Sequence, residues 1–341
     1  MQNISILTLI LSLSVNILSS EHPREITVIS QGKETSIKAD GESMVVDGVT
    51  RTKWQCSKDS FTLIWGYKRR AYKGTLEVTS DKGELVLVND VDEDSYLSSV
   101  VGAEMLPGTP LEALKAQAVL CRTFIHTATR HGEEQWDFCD LTHCQSYKGL
   151  ESATALTSKA VSETRGLILA YQDKPCQVFY HSTCGGKTAD ARSIWPDQGA
   201  PYLVSVTDEY CRPSPHSQWQ YKVSLENVAK VLGLSGVSDV EVTGVSPDSR
   251  VREIRVVGSA TVLYNGWDFR DIIAKQEGWG TIKSSWFEIQ RGGPNLLFKG
   301  RGLGHGVGLC QWGAKGMAEK GKSFNEILSH YFPGTEVEEW R

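Results

Sequence analysis

The sequence predicts an α+β protein, with a helical core packed against short antiparallel strands and a smaller β-rich second module. Three observations support this. Short β-branched runs broken by Gly and Asp fill the first quarter of the chain, two long helical periodicities follow, and a second β-rich stretch interrupts the C-terminal half. The chain has 341 residues, 40% hydrophobic and 23% charged. It is long enough for two packed lobes with a large core, so neither a disulfide nor a metal is needed merely to fold it. The net charge of −5 gives no general attraction to nucleic acid or anionic lipid. It suits a neutral or mixed-charge substrate.

The division expected is an export signal over 1–20, a β-rich segment over 21–90, a catalytic core over 91–218 and 290–341, and an inserted β-rich module over 219–289. Ile4 to Leu18 is mostly apolar and ends at Ser19-Ser20, about the length of a signal-peptide core and short of the roughly 20 residues that span a bilayer. Met1-Gln2-Asn3 lacks the Lys or Arg of a standard signal, so a buried N-terminal strand or a membrane anchor stands as the other reading.

Strands are expected at Ile26–Ile29, Ser43–Val46 and Glu84–Val88. Helices are expected over Asp94–Met105 and from Pro110 to about Thr129, the second opening on Thr109, Pro110 and Glu112 in a capping-box arrangement. A helix near Thr154–Glu163 and strands at Gly166–Tyr171 and Cys176–His181 come next. The inserted module contributes a helix at Leu225–Leu232 and strands at Asp239–Val242 and Glu253–Val257, and the chain closes on a helix at Phe324–Tyr331.

Glu104 is the first candidate for chemistry. On a helix it shares a face with Leu97, Val100 and Val101, where a solvated glutamate does not belong. Burial would raise its pKa and keep a proton available for general-acid catalysis. The plainer reading is a glutamate at a fraying helix end. Lys115 and Arg122, seven residues apart on the next helix, either line a groove or belong to an ordinary solvated face.

His131, Cys139, His143 and Cys144 offer four soft ligands, a full tetrahedral zinc set and hence a structural site. A Cys139–Cys144 disulfide, or free thiols beside a structural histidine, are the alternatives. Tyr180 to Gly186 brings His181, Ser182 and Cys184 together, but neighbours on a strand point to opposite faces, which argues against a nucleophile–base pair. Gly302, Gly304, Gly306 and Gly308 alternate, which on an extended strand would bare one face to another backbone or a sugar ring and leave His305 in a groove.

Taken in order, several motifs carry a resemblance. They are Asp94–Leu97 with Gly102–Met105, Glu112–Ala118, the Cys139–Cys144 cluster, His181-Ser182 with Gly185-Gly186, Gly304–Gly308 with Gln311–Ala314, and Tyr331–Thr335. The chain resembles the SpoIID family, the stage II sporulation protein D and LytB amidase-enhancer group, from about Val91 to Thr335. The resemblance implies a lytic transglycosylase that cleaves the β-1,4 bond between N-acetylmuramic acid and N-acetylglucosamine in peptidoglycan stripped of stem peptides. It implies Glu104 as the catalytic residue and Lys115 and Arg122 as substrate-groove residues; His181, His305 and Gln311 are further substrate-binding candidates. It also implies a zinc at the Cys/His cluster, an N-acetylmuramoyl-L-alanine amidase acting upstream as partner, and a place outside the cytoplasm, in the periplasm or cell envelope. A glycan-binding enhancer of such an amidase, without catalysis of its own, is the alternative function. Two departures from the family pattern stand out: Leu106 is inserted between Met105 and Pro107, and Cys310 replaces a serine before Gln311.

Overall fold

The computed structural model describes residues 12–56 and 59–340. The chain divides into two units. One comprises residues 1–107, 117–168 and 339–341, the other residues 108–116 and 169–338.

The first unit is built on two antiparallel-rich sheets. A six-stranded sheet runs in the order Val49–Arg51, Ser43–Val46, Lys33–Asp40, Glu25–Ser30, Ser60–Trp65, Lys68–Lys73, with every pair antiparallel. Its strands alternate as the sequence pattern requires: Ile26, Val28, Ile37, Met44, Phe61 and Leu63 are buried. A five-stranded sheet runs in the order Phe138–Cys139, Ser12–Ile17, Glu84–Asp92, Thr75–Asp81, Trp54–Cys56.

The N-terminal segment is thus corrected over its described part. Ser12–Ile17 is an internal strand of the five-stranded sheet, antiparallel to Glu84–Asp92 and parallel to Phe138–Cys139, with Leu13, Val15 and Ile17 buried. The buried-strand reading holds for these residues; the rest of the apolar run lies outside the described residues. Among the described residues, no helix is long and apolar enough to cross a membrane.

Helix α1 (Glu93–Glu104) follows directly from the Glu84–Asp92 strand. Asp92 caps it by accepting from Ser95 N–H at 2.9 Å, and Glu93 and Asp94 favour the positive end of the helix dipole. Tyr96 to Val101 are buried, and Met105 leaves the helix in extended conformation. Helix α2 (Leu111–Thr127) starts where expected. There Glu112 gives its carboxylate to Lys115 Nζ (2.8 Å) and to the Phe324 N–H (2.9 Å). Helix α3 (Ala155–Glu163) opens on a capping box formed by Thr154 and Thr157.

The second unit holds a short α4 (Ala191–Ile194) and a module with its own core. Two three-stranded antiparallel sheets, Trp219–Ser224/Asn295–Gly300/Phe287–Gly292 and Val237–Val245/Val251–Gly258/Thr261–Asn265, pack with α5 (Leu225–Leu232) and α6 (Gly266–Glu277). Val228, Ile254, Phe269, Leu296 and Phe298 lie at its centre. The chain then runs through the glycine-rich loop into α7 (Gln311–Glu319) and α8 (Phe324–Tyr331). The α+β class is as the sequence predicts.

Because Ile17 is buried in the sheet, Ile17→Ala should destabilise the protein by about 2–5 kcal/mol, read from the urea midpoint. A change within about 0.5 kcal/mol would mean that this strand does not pack in the mature protein.

Candidate functional site

Glu104 is the last residue of α1. It is half-buried, not enclosed as the apolar-face argument expected, because the helix ends there and the chain turns into Met105-Leu106-Pro107. Its Oε1 accepts a 2.7 Å hydrogen bond from the Ser146 N–H. The segment supplying that donor is pinned along α1. Lys148 N–H donates to Ser99 Oγ (3.2 Å), Ser152 Oγ donates to the Ser99 carbonyl (2.9 Å), and a Cβ at Gly102 would clash with the Ser152 carbonyl. Glu104 is therefore a carboxyl with a fixed orientation and access to solvent.

Two residues before Ser146 lies the Cys/His cluster, which the structure brings together as expected. The Sγ atoms of Cys139 and Cys144 are 3.5 Å apart, Cys144 Sγ lies 3.4 Å from His131 Nε2, and His143 Nδ1 lies 3.7 Å and 3.5 Å from the two sulfurs. All four donor atoms are within 4.8 Å of one another. Tetrahedral coordination with metal–sulfur bonds near 2.3 Å and metal–nitrogen bonds near 2.0 Å puts donors roughly 3.5–3.8 Å apart, so the set fits one four-coordinate ion. Glu134 Oε2 lies 2.9 Å from His131 Nδ1, the carboxylate partner that turns the other ring nitrogen toward a metal. The contact between the two sulfurs lowers the pKa of Cys139, and the same contact, then burial, pushes Cys144 up. One thiolate is thus ready for a cation.

The N-terminal strand holds this loop. Val15 and Asn16 pair with Phe138 and Cys139. Asp137 accepts from Ser14 N–H and Oγ, and Asp140 from Leu18 N–H and from Ser19 N–H and Oγ, at 2.6–3.3 Å.

Arg122 does not line a groove. It has no exposed surface, and its guanidinium donates to Glu93 Oε1 (2.6 Å) and to the carbonyls of Thr164 (2.7 Å), Leu167 (3.3 Å) and Val161 (3.4 Å). Burial would raise the pKa of Glu93, but hydrogen bonds from His126 and Arg122 outweigh it and hold the carboxyl below its usual range. Helical spacing put Arg122 on the polar side of α2; that side faces Glu93 and the end of α3, where an always-charged fork is matched by one carboxylate and three carbonyls.

In the second unit, Lys115 pairs with Glu112 and its ammonium lies 5.9 Å from the Phe324 ring centre. His181 and Gln311 are buried, at 4% and 7% exposure, and have almost no surface to offer a glycan. His181 Nδ1 bonds the Val307 carbonyl at 3.1 Å. His305 is half-buried; Nε2 lies 3.0 Å from the Tyr180 carbonyl and Nδ1 accepts from the Val307 N–H at 3.1 Å. Burial pushes it down to about 4, so the ring is neutral, with its proton on Nε2. Half-buried Trp195 and Trp267 stand 5.1 and 6.3 Å from it.

The alternating glycines are not an open strand. Gly302, Gly304, Gly306 and Gly308 all have φ between +71° and +100°, which coils the loop. Another backbone does approach, but it is the chain's own. A Cβ on Gly302 would stand 2.6 Å from the Thr183 carbonyl, and one on Gly306 would stand 2.6 Å from the Arg250 guanidinium. Sequence reasoning also missed Ser146 and Glu93. The first acts through its backbone, which has no side-chain signature, and the second as a buried counter-charge whose partner lies 29 residues away.

A model of the stage II sporulation protein family, SpoIID, matches residues 81–171. The chain is similar to stage II sporulation protein D of Bacillus amyloliquefaciens, 34% identical over 275 residues that cover 74% of this chain and 76% of that one. It is 30% identical over 285 residues to an uncharacterized protein of Brachyspira hyodysenteriae, covering 82% of this chain and 75% of that one. It is 27% identical over 287 residues to the amidase enhancer of Bacillus subtilis, covering 70% of this chain but 40% of that protein.

Arg122→Met should destabilise the fold by about 2–4 kcal/mol, because it leaves the half-buried Glu93 carboxylate with His126 alone and three carbonyls without their donor; a groove arginine would change the urea midpoint by little. His305 gives a pH signature. Its folded value near 4 lies below the ordinary 6.5, so the unfolded chain takes up the proton first. The stability it contributes is complete above about pH 6.5 and is lost as pH falls toward 4, by up to about 3 kcal/mol. His305→Gln should flatten that slope in urea titrations at stepped pH, and an unchanged slope would reject the assignment.

Proposed function

The chain belongs to the SpoIID family, and on that footing we propose that it is a lytic transglycosylase of peptidoglycan with Glu104 as its acid–base catalyst. The observation that carries this reading is the Glu104 carboxyl itself, half-buried at a helix end and oriented by the Ser146 N–H within the stretch the family model matches.

One carboxyl suffices for this chemistry, where an ordinary glycosidase needs two. Protonated Glu104 donates to the glycosidic oxygen as the bond from C1 of N-acetylmuramic acid to O4 of N-acetylglucosamine breaks. The carboxylate left behind takes the proton from the C6 hydroxyl of the same muramic acid, and O6 closes on C1 as a 1,6-anhydro ring. The net change moves one proton from O6 to O4, consumes no water and returns Glu104 to its acid form. The Ser146 donor fixes the carboxyl so that both transfers start from one geometry.

Denuded glycan is neutral apart from its lactyl carboxylates. Lys115 is the proposed contact for such a carboxylate, and the aromatic surroundings of His305, with Trp195 and Trp267, the proposed surface for a sugar ring. A stem peptide converts the lactyl carboxylate to an amide and removes its charge, which favours strands already trimmed by an amidase. His131, Cys139, His143 and Cys144 would hold zinc with no coordination position left open, so the metal supports the loop that carries Ser146. Action outside the cytoplasm follows from the substrate.

The second reading, a non-catalytic glycan-binding partner of an amidase, is favoured by the similarity to the amidase enhancer of Bacillus subtilis. Product analysis separates the two. Denuded strands incubated with the protein should yield 1,6-anhydro-muramyl ends by mass spectrometry, and intact sacculi few until an amidase is added. Glu104→Gln should keep the fold and glycan binding and lose cleavage by at least about a hundredfold, while Lys115→Ala should lower turnover roughly tenfold. Glycan binding without anhydro ends in the wild type would establish the enhancer reading instead.

A further inference from the structure

A second group of metal-type donors lies in the second unit. Cys184, Asp208, Cys211 and Cys310 come from three separate stretches of chain, yet one ligand atom of each lies within 4.8 Å of all the others. Cys184 Sγ is 3.5 Å from Cys211 Sγ and 3.1 Å from Asp208 Oδ2. The sulfur–sulfur distance is close to that of adjacent corners around a tetrahedral ion, and the sulfur–oxygen pair, now in hydrogen-bond contact, would open by about 0.4 Å to reach it. None of the four residues has exposed surface. We propose that Cys184, Asp208, Cys211 and Cys310 bind a second structural metal ion of the zinc class.

The surroundings are those of bound thiolates. Cys310 Sγ accepts from the N–H groups of Cys184 (3.2 Å) and Gly313 (3.4 Å), and Cys184 Sγ accepts from the Gly186 N–H (3.4 Å). Asp208 Oδ1 accepts from Tyr210 N–H (2.8 Å) and Cys211 N–H (3.2 Å), which leaves Oδ2 as the oxygen turned to the sulfurs. Such backbone donors orient ligands from behind. Gly313 has no Cβ where one would clash with the Tyr331 hydroxyl and the Asp208 carboxylate.

Charge accounts for the ion. As metal ligands, three thiolates and a carboxylate would carry four negative charges in a site closed to water. A divalent cation leaves −2, and buried Arg250 offsets part of the rest. Its Nη2 donates to the Cys184 carbonyl at 3.0 Å, while Nε and Nη1 have no hydrogen-bond partner among the described residues. Three sulfur donors exclude calcium and magnesium, which take oxygen ligands, and select zinc or its chemical neighbours. With four protein ligands, no coordination position remains for substrate. The ion would lock the turn after His181 and the N-terminus of α7, which Cys310 caps, to the 208–211 turn. A disulfide is the competing chemistry, since a Cys184–Cys211 bond needs the sulfurs to close to about 2.05 Å. It would leave Cys310 and Asp208 buried without an ion. The proposal needs neither the role of Glu104 nor a metal at the His131 cluster.

The test uses the full chain, purified under reducing conditions with zinc supplied. In the folded Cys139→Ser/Cys144→Ser chain, one equivalent of zinc should remain by elemental analysis. Adding Cys211→Ser should lower it to below about a tenth of an equivalent. If these variants do not fold, the wild type decides by its zinc X-ray absorption edge. Two equivalents with sulfur exceeding half of the ligands, or one equivalent with three sulfurs, supports the site. One equivalent with two sulfurs and two nitrogens, no metal in the folded variant or wild type, or a mapped disulfide among Cys184, Cys211 and Cys310 would overturn it.

Discussion

The hydrogen bond from the Ser146 N–H to Glu104 Oε1 is the constraint on which the first unit turns. A helix-end carboxyl is ordinarily free to change rotamer. Here a backbone donor fixes it, and the donor is only as rigid as its loop. Three devices hold that loop from different sides. Cys139 pairs with Asn16 in the sheet, the four Cys/His donors close on one point, and Tyr147 donates to Asn89 Oδ1 at 2.8 Å while its ring packs between Tyr72 and Tyr96. Loss of any of these would be felt first as a displaced Ser146 donor and a freer Glu104 carboxyl.

Buried arginine does comparable work in both units. Arg122 joins the start of α1 to the end of α3 through Glu93 and three carbonyls. Arg250 holds the Cys184 and Lys187 carbonyls of the turn after His181 and stacks 5.2 Å from the Trp286 ring. In each case a planar cation satisfies carbonyls that the ends of regular elements leave unpaired. A lysine at either place would supply charge without the fork.

The sequence made the helices legible because their signals are local. α5 and α8 fall on the expected residues, and α1 to α3 come within two residues of their expected ends. The Cys/His cluster was legible because its ligands span only 14 residues, His131 to Cys144. What failed was orientation across the fold. The apolar stripe over Ile4–Leu18 has the same composition whether it is an export signal or an internal strand, and pairing with Glu84–Asp92, some seventy residues on, settles Ser12–Ile17. Periodicity put Arg122 on a polar face without saying that Glu93 would cover it. Alternation put glycines on one side of a strand, but four residues at positive φ make no strand. Cys310, legible only as a departure from the resembled pattern, finds its reason in Cys184, 126 residues away.

The cysteines gather in a way that bears on their redox fate. Five of the eight, Cys139, Cys144, Cys184, Cys211 and Cys310, converge at two points, with Sγ atoms 3.5 Å apart in each group. Thiols this close do not persist in an oxidising compartment without either bonding to each other or sharing a cation. The odd number of sulfurs at the second point favours a shared ion there. A disulfide would leave one buried sulfur beside one buried carboxylate, whereas an ion uses all four donors at once. Cys139 and Cys144 are an even pair that oxidation alone could satisfy, but His131 and His143 then converge on nothing, and the Glu134 carboxylate orients a ring with no ligand to face. Metal at both points would give every donor a partner, and it would require the ions to bind before the thiols meet an oxidant.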